Sequence, residues 1–496
     1  MRKACLRLSF VCLFALGMAG AQALPATDLE ISDAIEDEIL VDPAVALNNI
    51  DVKVVDGVAT LSGNVSNLLA KERAARLART VRGVRSVVNT INVQPTTPRN
   101  DTEIASDVRD ALLYDPAADA FEVSVTVEDG AAILNGTVDS WQERELALKA
   151  AKGVRGVTAV ENNISVDYDA DRPDLEIRSE VQQALRWDAL IDHGLINVAV
   201  EDGAVTLSGT VGSAAEKTRA ITEAWVAGVQ NVGAEGLEVE AWARDEDMRK
   251  GKYAVKSDDE VEQAIEDALL YDPRVASFEV TPEVDGGVAT LRGTVDNLKA
   301  KRAVTNLARN TVGVATVENR IKVRPEGELA DAEVAENVRN ALSRDPYVDR
   351  YEISVTAIDG TAHLYGSVDT YFEKTQAEDV ASSTRGVIAV DNNLEVEDTY
   401  DPYVYDPYVD DRYVYDYGWY DYEPAYTLKS DTEIEEDVES ELWWSPFVDS
   451  DDIAVVVEDG TATLTGAVDS WSEYSAATEN AYEGGAVWVD NDIVVR

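Results

Sequence analysis

The sequence predicts an α+β protein: a tandem array of six small αββαβ modules, each a three-stranded mixed sheet with two helices on one face. Three observations predict it. One phrase recurs six times, as DGVATLSGNV (Asp56–Val65), DGAAILNGTV (Asp129–Val138), DGAVTLSGTV (Asp202–Val211), GGVATLRGTV (Gly286–Val295), DGTAHLYGSV (Asp359–Val368) and DGTATLTGAV (Asp459–Val468). A second phrase follows about 20 residues later, as GVRSVVNTINV from Gly83, GVTAVENNISV from Gly156, GVATVENRIKV from Gly313 and GVIAVDNNLEV from Gly386, with blurred copies from Gly228 and Gly485. Around both phrases the spacing of apolar residues switches between helical and strand periods.

The second copy shows the elements in order. Asn100 reads as an N-cap with Glu103 at N3, and Ile104, Val108, Ala111 and Leu112 form an apolar helical stripe. Thr27 with Glu30, Ser257 with Glu260 and Ser430 with Glu433 repeat the cap. Tyr114-Asp115-Pro116 ends the helix, because the residue before proline avoids helical angles. Glu122 to Val127 then alternates as a half-buried strand, Asp129-Gly130 makes a tight hairpin turn, and a second strand runs to Val138. Ser140 and Glu143 open a second helix through Lys152, and a third strand runs from Val157 to Val166. A helical crossover makes the second and third strands parallel. Pro282 sits within the first strand of the fourth copy, which places that strand at a sheet edge. One module alone buries a thin core, so packing against neighbouring modules is expected to complete it.

The modules span 27–93, 100–167, 174–240, 257–323, 330–396 and 430–496. A charged linker, 241–256, separates the third from the fourth. A Tyr/Asp-rich tract, 398–429, precedes the sixth and holds ten of the 20 tyrosines between Tyr400 and Tyr426. Its repeated Asp-Pro forbids a helix. It reads as a stiff spacer, or as a binding segment in which tyrosines stack on a partner while Asp401, Asp406, Asp410 and Asp411 gather a divalent cation. The spacer reading is favoured because those acids lack the spacing of a calcium loop.

Residues 1–23 read as a cleavable signal peptide: Arg2, Lys3 and Arg7, an apolar run from Leu8 to Leu16, then Ala21-Gln22-Ala23 with cleavage after Ala23. Both cysteines, Cys5 and Cys12, lie inside it, and Ser9-Phe10-Val11 lacks the small residues of a lipid-attachment site. The exported chain is thus expected to carry no disulfide. No later stretch approaches the length of a membrane span. Removing Arg2, Lys3 and Arg7 takes the net charge from −52 to −55. With 95 acidic against 43 basic side chains, nucleic acid is excluded as the natural partner.

The D-G-x-[AV]-x-L-x-G-x-V hairpin, a second helix and then G-V-x-x-V-x-N-x-[IL]-x-V resemble the BON domain family of bacterial osmotically inducible and nodulation proteins. The resemblance covers most of the chain. It implies an αββαβ fold, an envelope location in the periplasm, a link with osmotic or envelope stress, and attachment to phospholipid surfaces; a multi-copy periplasmic member has also been viewed as chaperone-like. The chain departs from the pattern in its acidity and in its third copy, where Gly233-Ala234-Glu235-Gly236 replaces the Val-x-Asn stretch.

Enzymatic chemistry has little support in the residues. His193 and His363 are the two histidines, and neither recurs between copies. No nucleophile elbow, zinc helix or phosphate loop is present. The recurring glycines, Gly63, Gly136, Gly209, Gly293, Gly366 and Gly466, are candidates for ligand contact, but a backbone role at a bulge or a close helix-to-strand approach is favoured. The first position of the second helix holds Leu68, Trp141, Ala214, Leu298, Tyr371 and Trp471. Trp141, Trp471 and Tyr371 either enter a membrane interface or cover the rim of a thin core, and core is favoured.

These readings converge on a non-enzymatic periplasmic protein. Its modules bind an envelope phospholipid surface by avidity; the alternative is a chaperone-like or protein-interaction scaffold. No cofactor is expected beyond divalent cations acting as bridges between like charges.

Overall fold

A computed structural model gives the architecture. It describes residues 26–42, 44–45, 49–114, 123–168, 172–244, 256–271, 275, 280–325, 327, 329–348, 353–396, 429–445, 448–458, 460–468, 470–486 and 488–495. Residues 1–23, read above as a signal peptide, and the four aspartates of the Tyr/Asp-rich tract lie outside these.

Among the described residues six separate sheets form, each with the hairpin's second strand at its centre. In the second module the order is first helix (Asp101–Tyr114), first strand (Ser124–Glu128), second strand (Ala131–Val138), second helix (Trp141–Lys152) and third strand (Ala159–Val166). The first two strands pair antiparallel, with Val125 opposite Leu134. The second and third pair parallel, with Leu134 beside Asn162, as a helical crossover requires. Pro282 lies on an edge strand, opposite Leu291.

The helix starts follow the local sequence. Thr27 and Ser430 make complete capping boxes with Glu30 and Glu433, and Asn100 accepts the Glu103 N–H at 2.9 Å. At the second helix the cap reaches further: the Glu143 carboxylate accepts the backbone N–H of Asp139, one residue before the cap Ser140.

The asparagine that five copies of the second phrase share has a structural role. Asn89 donates to the carbonyl of Lys71 on the second helix at 2.7 Å and accepts the Ile91 N–H at 3.1 Å. Asn319, Asn392 and Asn491 make the same bridge to Lys301, Lys374 and Tyr474. One side chain thereby locks the third strand to the helix above it. The third module, which lacks the asparagine, solves the problem differently. Its third strand bulges between Gly233 and Gly236, and Lys217 reaches down from the helix to the Leu237 carbonyl at 2.5 Å.

Modules three to six each enclose their own cluster of buried Val, Leu, Ile and Ala. Modules one and two share a single cluster that runs from Ile31 to Ile164 and takes in Ala214 of module three. Tyr347 of module five and Trp444 of module six pack against it.

The expectation of packing between sequence neighbours is therefore incomplete. The shared docking contact joins modules one to six, two to five and three to four. Arg82 N–H donates to the Trp444 carbonyl at 3.3 Å, Arg155 N–H to Arg344 at 2.7 Å, and Val312 N–H to Trp187 at 2.9 Å. The Arg155 guanidinium adds three bonds, two to the Asp345 carbonyl and one to that of Val348. Arg82 lies over the Trp443 ring, 4.7 Å from its centre. The chain folds back on itself, with its first three modules facing its last three.

Candidate functional site

Each hairpin tip is anchored by a residue outside both recurring phrases. The first-turn aspartate of the first helix accepts two backbone N–H groups of the Asp-Gly turn. Asp101 takes those of Asp129 and Gly130, both at 2.9 Å, and Asp28, Asp174 and Asp331 do the same in their modules. Asp258 accepts from Gly286 and Asp431 from Gly460. In the turn itself Asp56, Asp129, Asp202 and Asp359 have φ near +50°, as a type I′ turn demands. The aspartate also sits where a helix N-terminus favours negative charge.

The recurring glycine makes a close backbone approach, though not to the helix. Its φ is +124° at Gly63, +118° at Gly209, +146° at Gly293, +138° at Gly366 and +142° at Gly466. A Cβ at Gly63 would stand 2.1 Å from the Asn49 carbonyl oxygen; at Gly209 and Gly466 the carbonyls of Leu195 and Asp452 are equally close. The close approach is thus to the start of the first strand, not to the helix. Gly136 lies in the same sheet position beside Ile164, and its carbonyl accepts from the Ser165 hydroxyl.

Both helices cover one sheet face and leave the other open. Exposed on the open faces are Asp51, Glu161, Glu283, Glu318, Asp391 and Asp490, among threonines and serines. In module five His363 pairs across the strands with Asp391 at 2.8 Å and stacks on Tyr365. The hydrogen bond from His363 holds the Asp391 carboxyl below its ordinary range. His363 is thus a paired residue of the open face. Apolar side chains are exposed on this face too: Val55 and Val88 in module one, Ile358 and Tyr365 in module five, and Val456, Val494 and Trp488, the last 58% exposed, in module six.

The helix-start position divides. Leu68 and Ala214 are buried. Trp141 stacks flat on Trp225 of module three at 5.2 Å, Arg144 lies over both rings, and Gln142 donates to the Trp225 carbonyl at 2.7 Å. Trp471 is 42% exposed and meets Tyr474 edge-on. Tyr371 opens its helix behind the cap Thr370.

Sequence reasoning missed one buried titratable group. Asp345, at the end of the first helix of module five, accepts from Gln376 at 2.7 Å and from the N–H groups of Tyr347 and Val348. Burial pushes its carboxyl up to about 6, against the opposing pull of these bonds and of Arg155. Asp42 and Asp188 hold the corresponding place in modules one and three, paired with Arg73 at 2.8 Å and Arg219 at 2.6 Å. Among the described residues no three His, Cys, Asp or Glu side chains converge as a metal site, and no helix is long and apolar enough to cross a membrane.

Comparison with known proteins adds to this picture. The family model described as BON domain matches residues 27–95, 100–168, 173–241, 257–325, 330–398 and 430–496. Osmotically-inducible protein Y of Escherichia coli (strain K12) is 34% identical over 128 residues, 24% of this chain. The match spans 63% of that relative's length. Structures of CdsD, a structural protein of the type III secretion system of Chlamydia trachomatis, align with 13% identity over 45% of this chain and 92% of theirs, at a TM-score of 0.12. For the C-terminal domain of CdsD the values are 16%, 46%, 100% and 0.13.

Proposed function

The chain belongs to the BON domain family, and from that premise we propose that it is a periplasmic osmotic-stress protein that binds through the open faces of its six sheets. The observation that carries the reading is the repeated open face: sheets of one architecture, each leaving one face uncovered and presenting carboxylates and hydroxyls outward. Six weak contacts on one body add by avidity. The similarity to Osmotically-inducible protein Y supports the link to osmotic stress. On this reading the protein binds and does not catalyse.

The partner we assign is an anionic phospholipid surface reached through divalent cations. A chain of net charge −52 is repelled by anionic headgroups, and a cation shared between a carboxylate and a phosphate removes that repulsion. Flotation with anionic and zwitterionic vesicles, each with and without millimolar Mg²⁺, tests this. Binding to anionic vesicles that requires Mg²⁺ is expected. Absence of flotation in every condition would sink the lipid reading. Because Trp225 occupies Trp141, Trp471→Ala is expected to weaken binding more than Trp141→Ala.

A second reading rests on module six. Trp488, 58% exposed on the open face, offers a large aromatic ring that suits a protein client. Suppression of client aggregation that is lost in Trp488→Asp and indifferent to Mg²⁺ would favour the scaffold over the lipid surface.

A further inference from the structure

The three fold-back contacts use one pair of elements. The donor is the loop after the second helix, at the residue before the glycine of the second phrase: Arg82, Arg155 or Val312. The acceptor is the last residue of another module's first helix: Trp444 of Asp431–Trp444, Arg344 of Asp331–Arg344, or Trp187 of Asp174–Trp187. Where the donor is arginine, its guanidinium follows the backbone onto further carbonyls, as at Trp443, Asp345 and Val348.

Module five carries a third arginine copy of this loop. Thr384-Arg385-Gly386-Val387 repeats Val154-Arg155-Gly156-Val157 and Val81-Arg82-Gly83-Val84. The backbone matches as well, with φ of +91° at Gly386, +95° at Gly156 and +90° at Gly83. Arg82 and Arg155 are half-buried against their partners, whereas Arg385 is exposed. Among the described residues it makes no hydrogen bond or ion pair. The first helices ending at Val41, Tyr114 and Tyr271 receive no such backbone bond among the described residues.

We propose that the Arg385 loop is an intermolecular docking site, and that it takes the C-terminal end of a module's first helix in a second copy of this chain. The partner is fixed by the chemistry that the other two arginine loops already recognise: outward carbonyls at a helix C-terminus, where partial negative charge gathers and a guanidinium finds several acceptors. A loop on one surface and a helix end on another make a heterologous contact. After one such contact the loop of one copy and the helix ends of the other are still free, so association continues past the dimer into rings or open chains.

Charge sets the condition for assembly. Copies of net charge −52 repel over tens of ångströms in dilute salt, and at about 0.15 M salt the range falls to roughly 8 Å. Assembly is therefore promoted as ionic strength rises, the direction of an osmotic upshift.

Sedimentation velocity of the full protein, over rising concentration at low and high NaCl, tests the proposal. Wild type is expected to sediment as one chain at low salt and as a growing series of oligomers at high salt. Arg385→Glu is expected to weaken that association about tenfold or more, with unchanged circular dichroism because the residue is exposed. Arg385→Ala should fall between them. Single-chain sedimentation at every salt and concentration, or oligomers in Arg385→Glu equal to those of wild type, overturns it.

Discussion

The carboxylate of Asp101 holds the N–H groups of Asp129 and Gly130 at once, each at 2.9 Å, and so ties the start of the first helix to the tip of the hairpin. The bonds are charge-assisted, and the turn they hold has two successive residues at positive φ, φ of +51° and +78°. Asp101→Ala is expected to lower the stability of module two by about 1–3 kcal/mol. Urea denaturation checks it, with Glu103→Ala, which removes a side chain outside this grip, as the milder control.

That anchor shows what the sequence held and how it was overlooked. Asp-x-Glu recurs at all six first helices, as Asp28/Glu30, Asp101/Glu103, Asp174/Glu176, Asp258/Glu260, Asp331/Glu333 and Asp431/Glu433. Periodicity explains the glutamate as a cap but is silent on an aspartate whose partner lies 28 residues away. The αββαβ order, the parallel crossover and the edge position of Pro282 were legible, because each follows from local pattern or chain connectivity. The fold-back of module one onto six was not, because Arg82 and Trp444 are far apart in sequence and the contact uses backbone groups that every residue carries. The repeat of Arg-Gly-Val in three modules was the available signal.

The recurring glycine gives a sharp test of a backbone role. Gly466→Ala would put a methyl group 2.0 Å from the Asp452 carbonyl at a φ of +142°, so the first strand has to move. A loss of about 2–4 kcal/mol in module six is expected without any ligand present. The contrast is Gly286, which has φ of +57° and nothing within 4 Å of a built Cβ. Gly286→Asp restores the residue that five modules carry there and should shift the denaturation midpoint little.

Arg155 joins modules two and five through its backbone and three guanidinium bonds. Arg155→Ala leaves the carbonyls of Asp345 and Val348 without those donors and is expected to cost about 2–4 kcal/mol at that interface. The modules themselves keep their cores, so circular dichroism should hardly change. Small-angle scattering should show a larger radius of gyration, and the urea transition should broaden as the two halves of the chain uncouple.

The acid behaviour of Asp345 can be isolated from that of the other carboxylates. Burial raises its folded value to about 6 from an ordinary 3.8, so the folded state holds this proton more tightly than the unfolded one. Between those two values the native chain carries the extra proton, and stability therefore falls as pH rises through the window. The contribution is whole below about pH 4 and is lost above about pH 6, with an upper magnitude of about 3 kcal/mol at roughly 1.4 kcal/mol per unit. In Asp345→Asn the side chain stays neutral and, with the Gln376 amide turned over, keeps its hydrogen bonds. General repulsion among the acids acts on both proteins and cancels in their difference. Urea midpoints measured from pH 4 to pH 7 should show wild type losing about 2–3 kcal/mol relative to Asp345→Asn. A difference that stays constant across the range would mean that Asp345 reaches solvent, and that the docking of modules two and five does not bury it.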